Sequence, residues 1–438
     1  MLLNAADKAL WRLALPMIFS NITVPLLGLV DTAVIGHLDS PVYLGGVAVG
    51  ATATSFLFML LLFLRMSTTG LTAQAWGAKD PQRLARALVQ PLALALGAGV
   101  LIILLRLPLI DLALHIVGGS EAVLEQARRF LEIRWLSAPA SLANLVLLGW
   151  LLGVQYARAP VILLVVGNLL NIVLDLWLVM GLRMNVQGAA LATVTAEYAT
   201  LIIGLLMAKR VLTLRGVSLA MLKNAWRGDM RRLLALNRDI MLRSLLLQLC
   251  FGALTVFGAR LGSDIVAVNA VLMTMLTFTA YALDGFAYAV EAHSGQAYGA
   301  RDGSQLLEVW RAACRQSGMV ALAFALIYSL AGQYIIALLT SLPSLQQLAD
   351  RYLIWQTILP VVGVWCYLLD GMFIGATRGA EMRNSMAVAA AGFAVTLLTV
   401  PVLGNHGLWL ALAVFLALRG LSLALIWRRH WRRGTWFS

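Results

Sequence analysis

The chain has 438 residues, of which 61% are hydrophobic and 12% charged, with mean hydropathy +0.86 and a formal net charge of +13. A soluble domain carries roughly 45–50% apolar and about 25% charged residues, so a soluble enzyme is excluded and a polytopic membrane protein is implied. The basic excess would point to nucleic acid in a soluble chain, but here it lies in short segments between apolar runs, and no nucleic-acid partner is expected.

The N-terminus carries Lys8 and Arg12 ahead of an apolar run. That run is too long for a signal h-region and has no A-x-A cleavage site, so it reads as a retained first span. Within it, Leu13–Leu38 holds Asp31 among Leu29, Val30, Ala33 and Val34, with Pro16 and Pro25 in the same segment. A carboxylate near the middle of a spanning helix costs about 2.5–3.5 kcal/mol on insertion scales and has to face protein or water. Each proline removes a backbone donor and invites a kink. A bent helix with an acid at membrane depth reads as an ion or substrate site; the alternative is an acid paired with a buried arginine.

Twelve spans are predicted, at about 10–36, 44–70, 87–106, 127–154, 159–181, 186–208, 233–260, 264–294, 311–340, 350–377, 384–404 and 406–427, each from some twenty apolar residues bounded by Gly, Pro or charge. The fourth carries Ser137, Ser141 and Asn144 at i, i+4 and i+7 around Pro139, either helix-packing glue or part of a cavity wall. In the fifth, Asn168, Asn171 and Asp175 share one helix face, and two amides with an acid can hold a proton or a cation. Glu197 sits mid-way along the sixth, facing the same cavity or paired with an arginine. The break at 209–232 is basic and amphipathic and reads as an interfacial linker between lobes at 1–208 and 233–427, with a basic tail at 428–438.

The second half repeats the first. AQAWGAKDPQRL at 73–84 aligns with GQAYGARDGSQL at 295–306, an offset of 222 that also pairs Gly36 with Gly258 and Gly153 with Gly375. Six spans per half make this a parallel repeat, the two-lobe plan of a transporter. Here Asp284 and Glu291 lie seven apart in the eighth span and Asp370 late in the tenth; Asp284 and Asp370 are cavity candidates, or partners for Arg65, Arg243 or Arg419. Glu291 and His293 read as interfacial, and Cys250, Cys314 and Cys366 as small buried hydrophobes with no metal or redox spacing.

With the N-terminus inside, 22 Lys and Arg fall on the inner side against 7 outside, which makes both termini cytoplasmic. Neither a Walker-type loop nor a nucleophile elbow nor zinc-ligand spacing occurs, so no enzyme activity, metal or cofactor is expected and an ion gradient is the expected drive.

These residues resemble the multidrug and toxic compound extrusion (MATE) family over nearly the whole chain: LALPMI and LVDTAVIGHL early, GAKD and GARD after the second and eighth spans, VGGSEAVLEQARRFLEIRW before the fourth, and GVQYARAPVILLVVGNLLNIVLD between the fourth and fifth. The overall look is closest to a bacterial branch. The resemblance implies an all-α polytopic protein of twelve helices in two six-helix lobes. It further implies a monomeric antiporter of the bacterial inner membrane, in contact with lipids, that exports small amphipathic or cationic compounds in exchange for H⁺. By position, Asp31, Asn171 and Asp175 match the family's N-lobe proton site, Pro16 the proline at which the first helix bends in some members, and Asp370 an acid of the sodium-linked branch. That branch also has an acid mid-way along the seventh span, where this chain has only Asp239 near the cytoplasmic end, so Na⁺ coupling is the lesser expectation. A lipid-linked oligosaccharide flippase of the same two-lobe fold is the alternative, for which Arg65, Arg243 and Arg419 are few and scattered.

Overall fold

Apolar runs this long must satisfy their own backbone groups in lipid, which leaves helices as the only economical solution for a chain without alternating strands. The computed structural model describes residues 3–438 except 37, 39 and 229, and of 23–33 and 36 the backbone alone. The helices of the first half are α1 (Ala5–Gly36), α2 (Pro41–Leu60), α3 (Phe63–Gly77), α4 (Pro81–Leu104), α5 (Arg106–Val117), α6 (Glu121–Arg134), α7 (Ala138–Gly153), α8 (Arg158–Asp175) and α9 (Asn185–Leu214). Those that follow are α10 (Leu219–Asn224), α11 (Arg231–Leu261), α12 (Ser263–Ala300), α13 (Gly303–Leu339), α14 (Pro343–Gly375), α15 (Gly379–Thr396), α16 (Val400–Leu403) and α17 (Asn405–Arg433). Among the described residues, 11 helical stretches are long and apolar enough to cross a membrane, the α2–α3 and α6–α7 runs each counting as one. α1 is the twelfth span expected from the sequence, and its middle lies outside the described side chains.

The helices outrun the apolar windows. α12 has 38 residues and α13 has 37, where about 20 cross a bilayer. Polar caps beyond the lipid extend them: the side chain of Asp302 accepts from the Gln305 N–H at 3.1 Å and starts α13 there. The stretch after the third span, expected as a connection, folds into α5 and the start of α6, the latter capped by Ser120 on the Val123 N–H. The linker expected at 209–232 is partly helical: α9 runs to Leu214, with Val211 and Leu212 buried, and α10 follows. The basic tail begins as the last turns of α17 and ends with Trp436 buried.

The repeat extends from the sequence to the atoms. α2 and α12 start 222 residues apart, as do α4 and α13, and the α6–α7 run and α14. Asp80 caps α4 on the Arg83 N–H at 3.2 Å, as Asp302 caps α13. The turn residues before these caps, Lys79 and Arg301, both take left-handed φ, 54° and 53°. Closest packing repeats too. A Cβ on Gly149 would lie 2.6 Å from the Arg65 carbonyl oxygen, and one on its counterpart Gly371 would lie 2.7 Å from the Ala287 carbonyl oxygen. Only glycine lets α7 approach α3, and α14 approach α12, this closely.

The chain divides into two compact units, one of Met1–Asn21 with Leu234–Ser438 and one of Ile22–Leu233, so the division falls inside α1. Within the first unit, the start of α1 packs on α12 and α13: Trp11 donates to Gln316 at 2.9 Å and stacks edge-on to Phe286, and Asp7 pairs with Arg315 at 3.0 Å. The core of that unit holds Phe393, Trp409 and Phe415; a core of the other holds Leu142, Trp150 and Leu151.

Candidate functional site

The fifth span carries the acid the sequence singles out. α8 ends at Asp175, and a six-residue π-helical segment, Leu176–Gly181, continues it. A π segment widens the helix and re-aims the side chain at its edge, and such segments recur at functional positions. Asn171 lies one turn before Asp175 on the same face, and both are buried, 3% and 1% exposed. Asn168, a turn earlier, is half-buried. The Asn171 amide donates to Thr193 Oγ1 of α9 at 3.4 Å. Thr193 was not singled out from the sequence; its signal was the i, i+4 spacing to Glu197. Asp31, the proposed partner of this pair, has its side chain outside the described residues.

A second polar group joins α7 to α9. Ser141 donates to Glu197 Oε2 at 2.5 Å, the Asn144 amide donates to the Glu197 carbonyl at 3.2 Å, and Arg134 pairs with Glu197 Oε1 at 3.4 Å. Ser137, fully buried, donates to the Arg134 carbonyl at 2.8 Å and accepts from the Arg134 guanidinium. Ser137, Ser141, Asn144 and Glu197 therefore form one network tying helices together, and its cation is Arg134, one of the seven charges counted on the outer side.

In the second half, Asp370 of α14 is held by two arginines. Arg243 of α11 donates to Oδ2 at 2.6 Å, and Arg419 of α17 donates to the same oxygen. All three side chains are buried. Two of the three partners offered by the sequence are observed on Asp370, and the Arg65 guanidinium donates to Thr69 at 3.3 Å. Asp239 pairs with Arg383 and Arg238 near the start of α11. Asp284 is half-buried in α12, Glu291 is buried there, and His293 Nε2 lies 3.2 Å from the Ala9 carbonyl. α1 runs as helix through Pro16.

At the 222-residue offset, Asn171 corresponds to Phe393, whose ring packs edge to face on Phe415 at 6.0 Å, and Asp175 corresponds to Leu397. The helix irregularity is kept: α15 gives way to a 3-10 turn, Leu397–Thr399, where α8 gives way to the π segment. The polar side chains occur in one half alone.

The chain matches known proteins along nearly its whole length. The MatE family profile matches residues 16–177 and 240–404, one block in each half. The chain is 87% identical over 436 residues to DNA damage-inducible protein F of Escherichia coli K12, covering 100% of this chain and 95% of that one. It is 23% identical over 431 residues to a probable multidrug resistance protein NorM of Acinetobacter baylyi, covering 96% and 94%. An outward-facing structure of a multidrug resistance MATE transporter matches with a TM-score of 0.83 at 23% identity over 98% of this chain and 96% of that one, which places the fold. This chain is a member of the MatE family.

Proposed function

We propose that the protein is a secondary antiporter that exports amphipathic or cationic compounds in exchange for protons, by alternating access between lobes at 1–208 and 233–427. The observation that carries this reading is the buried Asn171–Asp175 pair at the edge of a π segment, where the repeat-related positions hold Phe393 and Leu397. A structural requirement of the fold would appear in both halves; this pair appears in one. A proton moving inward through 100 mV releases about 2.3 kcal/mol before any pH difference. Exchange requires that a loaded acid and bound substrate not be favoured in the same state, and Asp31 with Asp175 either protonated or supporting substrate is the simplest device.

Sodium coupling would use Asp370, but its carboxylate already accepts from Arg243 and Arg419. That same pairing weighs against the flippase reading, since two of the three deep arginines are drawn onto Asp370. Pro16 sits shortly before Asn21, where the chain passes from one compact unit to the other, and α1 flexes there in this reading. The excess of Lys and Arg on one side supports a bacterial plasma membrane orientation with both termini cytoplasmic.

The test is efflux of a fluorescent cationic dye from cells. Asp175→Asn is nearly isosteric and relieves a buried charge, so the protein should reach the membrane in normal amount while efflux falls to the empty-vector level. Efflux at the wild-type rate in both Asp175→Asn and Asp31→Asn would sink the proposal.

A further inference from the structure

Beyond its buried clusters, the second half carries a row of cations that the transport reading does not use. α17 outruns its apolar stretch: the span predicted to stop at 427 is followed by Arg428, Arg429, Arg432 and Arg433, all helical and all exposed. At 3.6 residues per turn these four fall within about 140° of one another around the helix, and Trp427, His430 and Trp431 occupy the rest of the circumference. None of the four forms an ion pair or side-chain hydrogen bond among the described residues. Glu381 of α15 pairs instead with His430 at 2.7 Å and Arg378 at 3.2 Å, and Asp302, next to the glycine that Trp431 covers, caps α13. Arg428 with Arg432, and Arg429 with Arg433, are like-charge pairs at i, i+4, which weaken a helix unless countercharge is supplied.

The other side of the helix fixes the depth and the orientation of this face. Trp427 packs on Trp310 of α13 at 5.9 Å and on Trp431 at 5.5 Å, and Trp431 meets Phe437 at 6.3 Å. Past Gly434, which takes a left-handed φ of 66°, the chain folds back. Trp436 is buried on Phe373 at 5.1 Å, and Arg378 donates to the Thr435 and Trp436 carbonyls at 3.0 and 2.8 Å. Tryptophans gather where hydrocarbon gives way to headgroups. Arg428 to Arg433 therefore lie within about 9 Å of that boundary, at or beside a headgroup layer about 5–7 Å thick. The last turns of α9, the sixth span of the first half, carry Lys209 and Arg210 followed by the buried Val211 and Leu212, so the four-arginine row occurs in one half alone.

We propose that this arginine face binds the phosphate of an anionic phospholipid. A basic excess beside a span sets orientation without requiring that the charges share a face. Here four guanidinium groups share one, on a helix end whose other side is packed, so little freedom is lost on binding. Clusters of about 4–8 Lys and Arg beside a span attract anionic headgroups. Guanidinium forks match phosphate oxygens, and residues four apart lie about 6 Å apart along the axis, so arginines on successive turns can close on one phosphate. A nucleic acid offers the same phosphates, but the tryptophans on the packed side set this face at headgroup depth and favour the lipid.

The test uses the full-length protein in a neutral detergent at physiological ionic strength. It is titrated with dioctanoyl phosphatidylglycerol and with zwitterionic dioctanoyl phosphatidylcholine, and bound lipid is counted by native mass spectrometry. Saturable binding of phosphatidylglycerol in preference to phosphatidylcholine is expected. Arg428→Gln with Arg429→Gln, and Arg432→Gln with Arg433→Gln, should each weaken it about 10–50-fold, at about fivefold per charge. The four side chains are exposed and unpaired, so the unfolding midpoint of both variants without lipid should match the wild type. Lys209→Gln with Arg210→Gln removes the same charge from α9 and should leave binding unchanged. Equal uptake of the two lipids, an equal loss in the α9 variant, or binding that both α17 variants leave unchanged overturns the proposal. Capture of a single-stranded oligonucleotide in preference to phosphatidylglycerol would assign the face to nucleic acid and overturn it as well.

Discussion

The two halves share a scaffold and differ in what they bury. In the first half, the face of α8 near its distorted end carries Asn171 and Asp175, with Thr193 opposite. The places of Asn171 and Asp175 in the second half carry Phe393 and Leu397. The second half does bury an acid, but Asp370 is matched by two arginines. One half thus holds a polar pair that invites a titrating role, and the other an ion-paired cluster and an aromatic core. A repeat preserves what folding needs in both copies; a feature found in one copy is free to serve function.

The largest expected effect comes from breaking the ion cluster. Asp370→Asn leaves two buried guanidinium groups without a countercharge and should destabilise the protein by about 3–5 kcal/mol, read as a lowered unfolding midpoint in detergent. Asp175→Asn, which keeps the side chain's size and an acceptor oxygen, should lower that midpoint by less. Equal losses in the two variants would erase the distinction between the halves.

The shared scaffold is tested by its close contacts. Gly149→Ala and Gly371→Ala each place a methyl against a backbone carbonyl at 2.6 and 2.7 Å and should each lose about 1–3 kcal/mol. Unequal losses would show that the repeat is looser in one half. Asn171→Leu removes a long hydrogen bond of 3.4 Å and should cost about 1 kcal/mol or less, while dye efflux drops well below wild type. Glu197→Gln keeps an acceptor for Ser141 and loses only a partly exposed pairing with Arg134, so stability should change by less than about 1 kcal/mol and efflux should persist.

The features legible in advance were those written in local periodicity or in the repeat. Twelve apolar runs, the 222-residue offset and the shared face of Asn168, Asn171 and Asp175 follow from spacing alone. Partner choice was not legible: Asp370 meets Arg243 and Arg419 across separations of 127 and 49 residues, and helix spacing says nothing about contacts between helices so far apart in the chain. Thr193 was missed because one threonine in a span is common. The π segment after Asp175 was missed because it reflects how α8 packs against α9. Helix ends were set too short because apolar windows stop at the lipid boundary, whereas capped helices such as α13 continue past it.

The central claim is that protons, acting through the first half, drive export. The direct measurement is dye transport by purified protein in sealed liposomes, under either a proton gradient at zero sodium or a sodium gradient at equal pH. The account predicts transport under the proton gradient, none under sodium, and loss of the proton-driven signal in Asp175→Asn. Sodium-driven transport that persists with a protonophore present and survives in Asp175→Asn would contradict it.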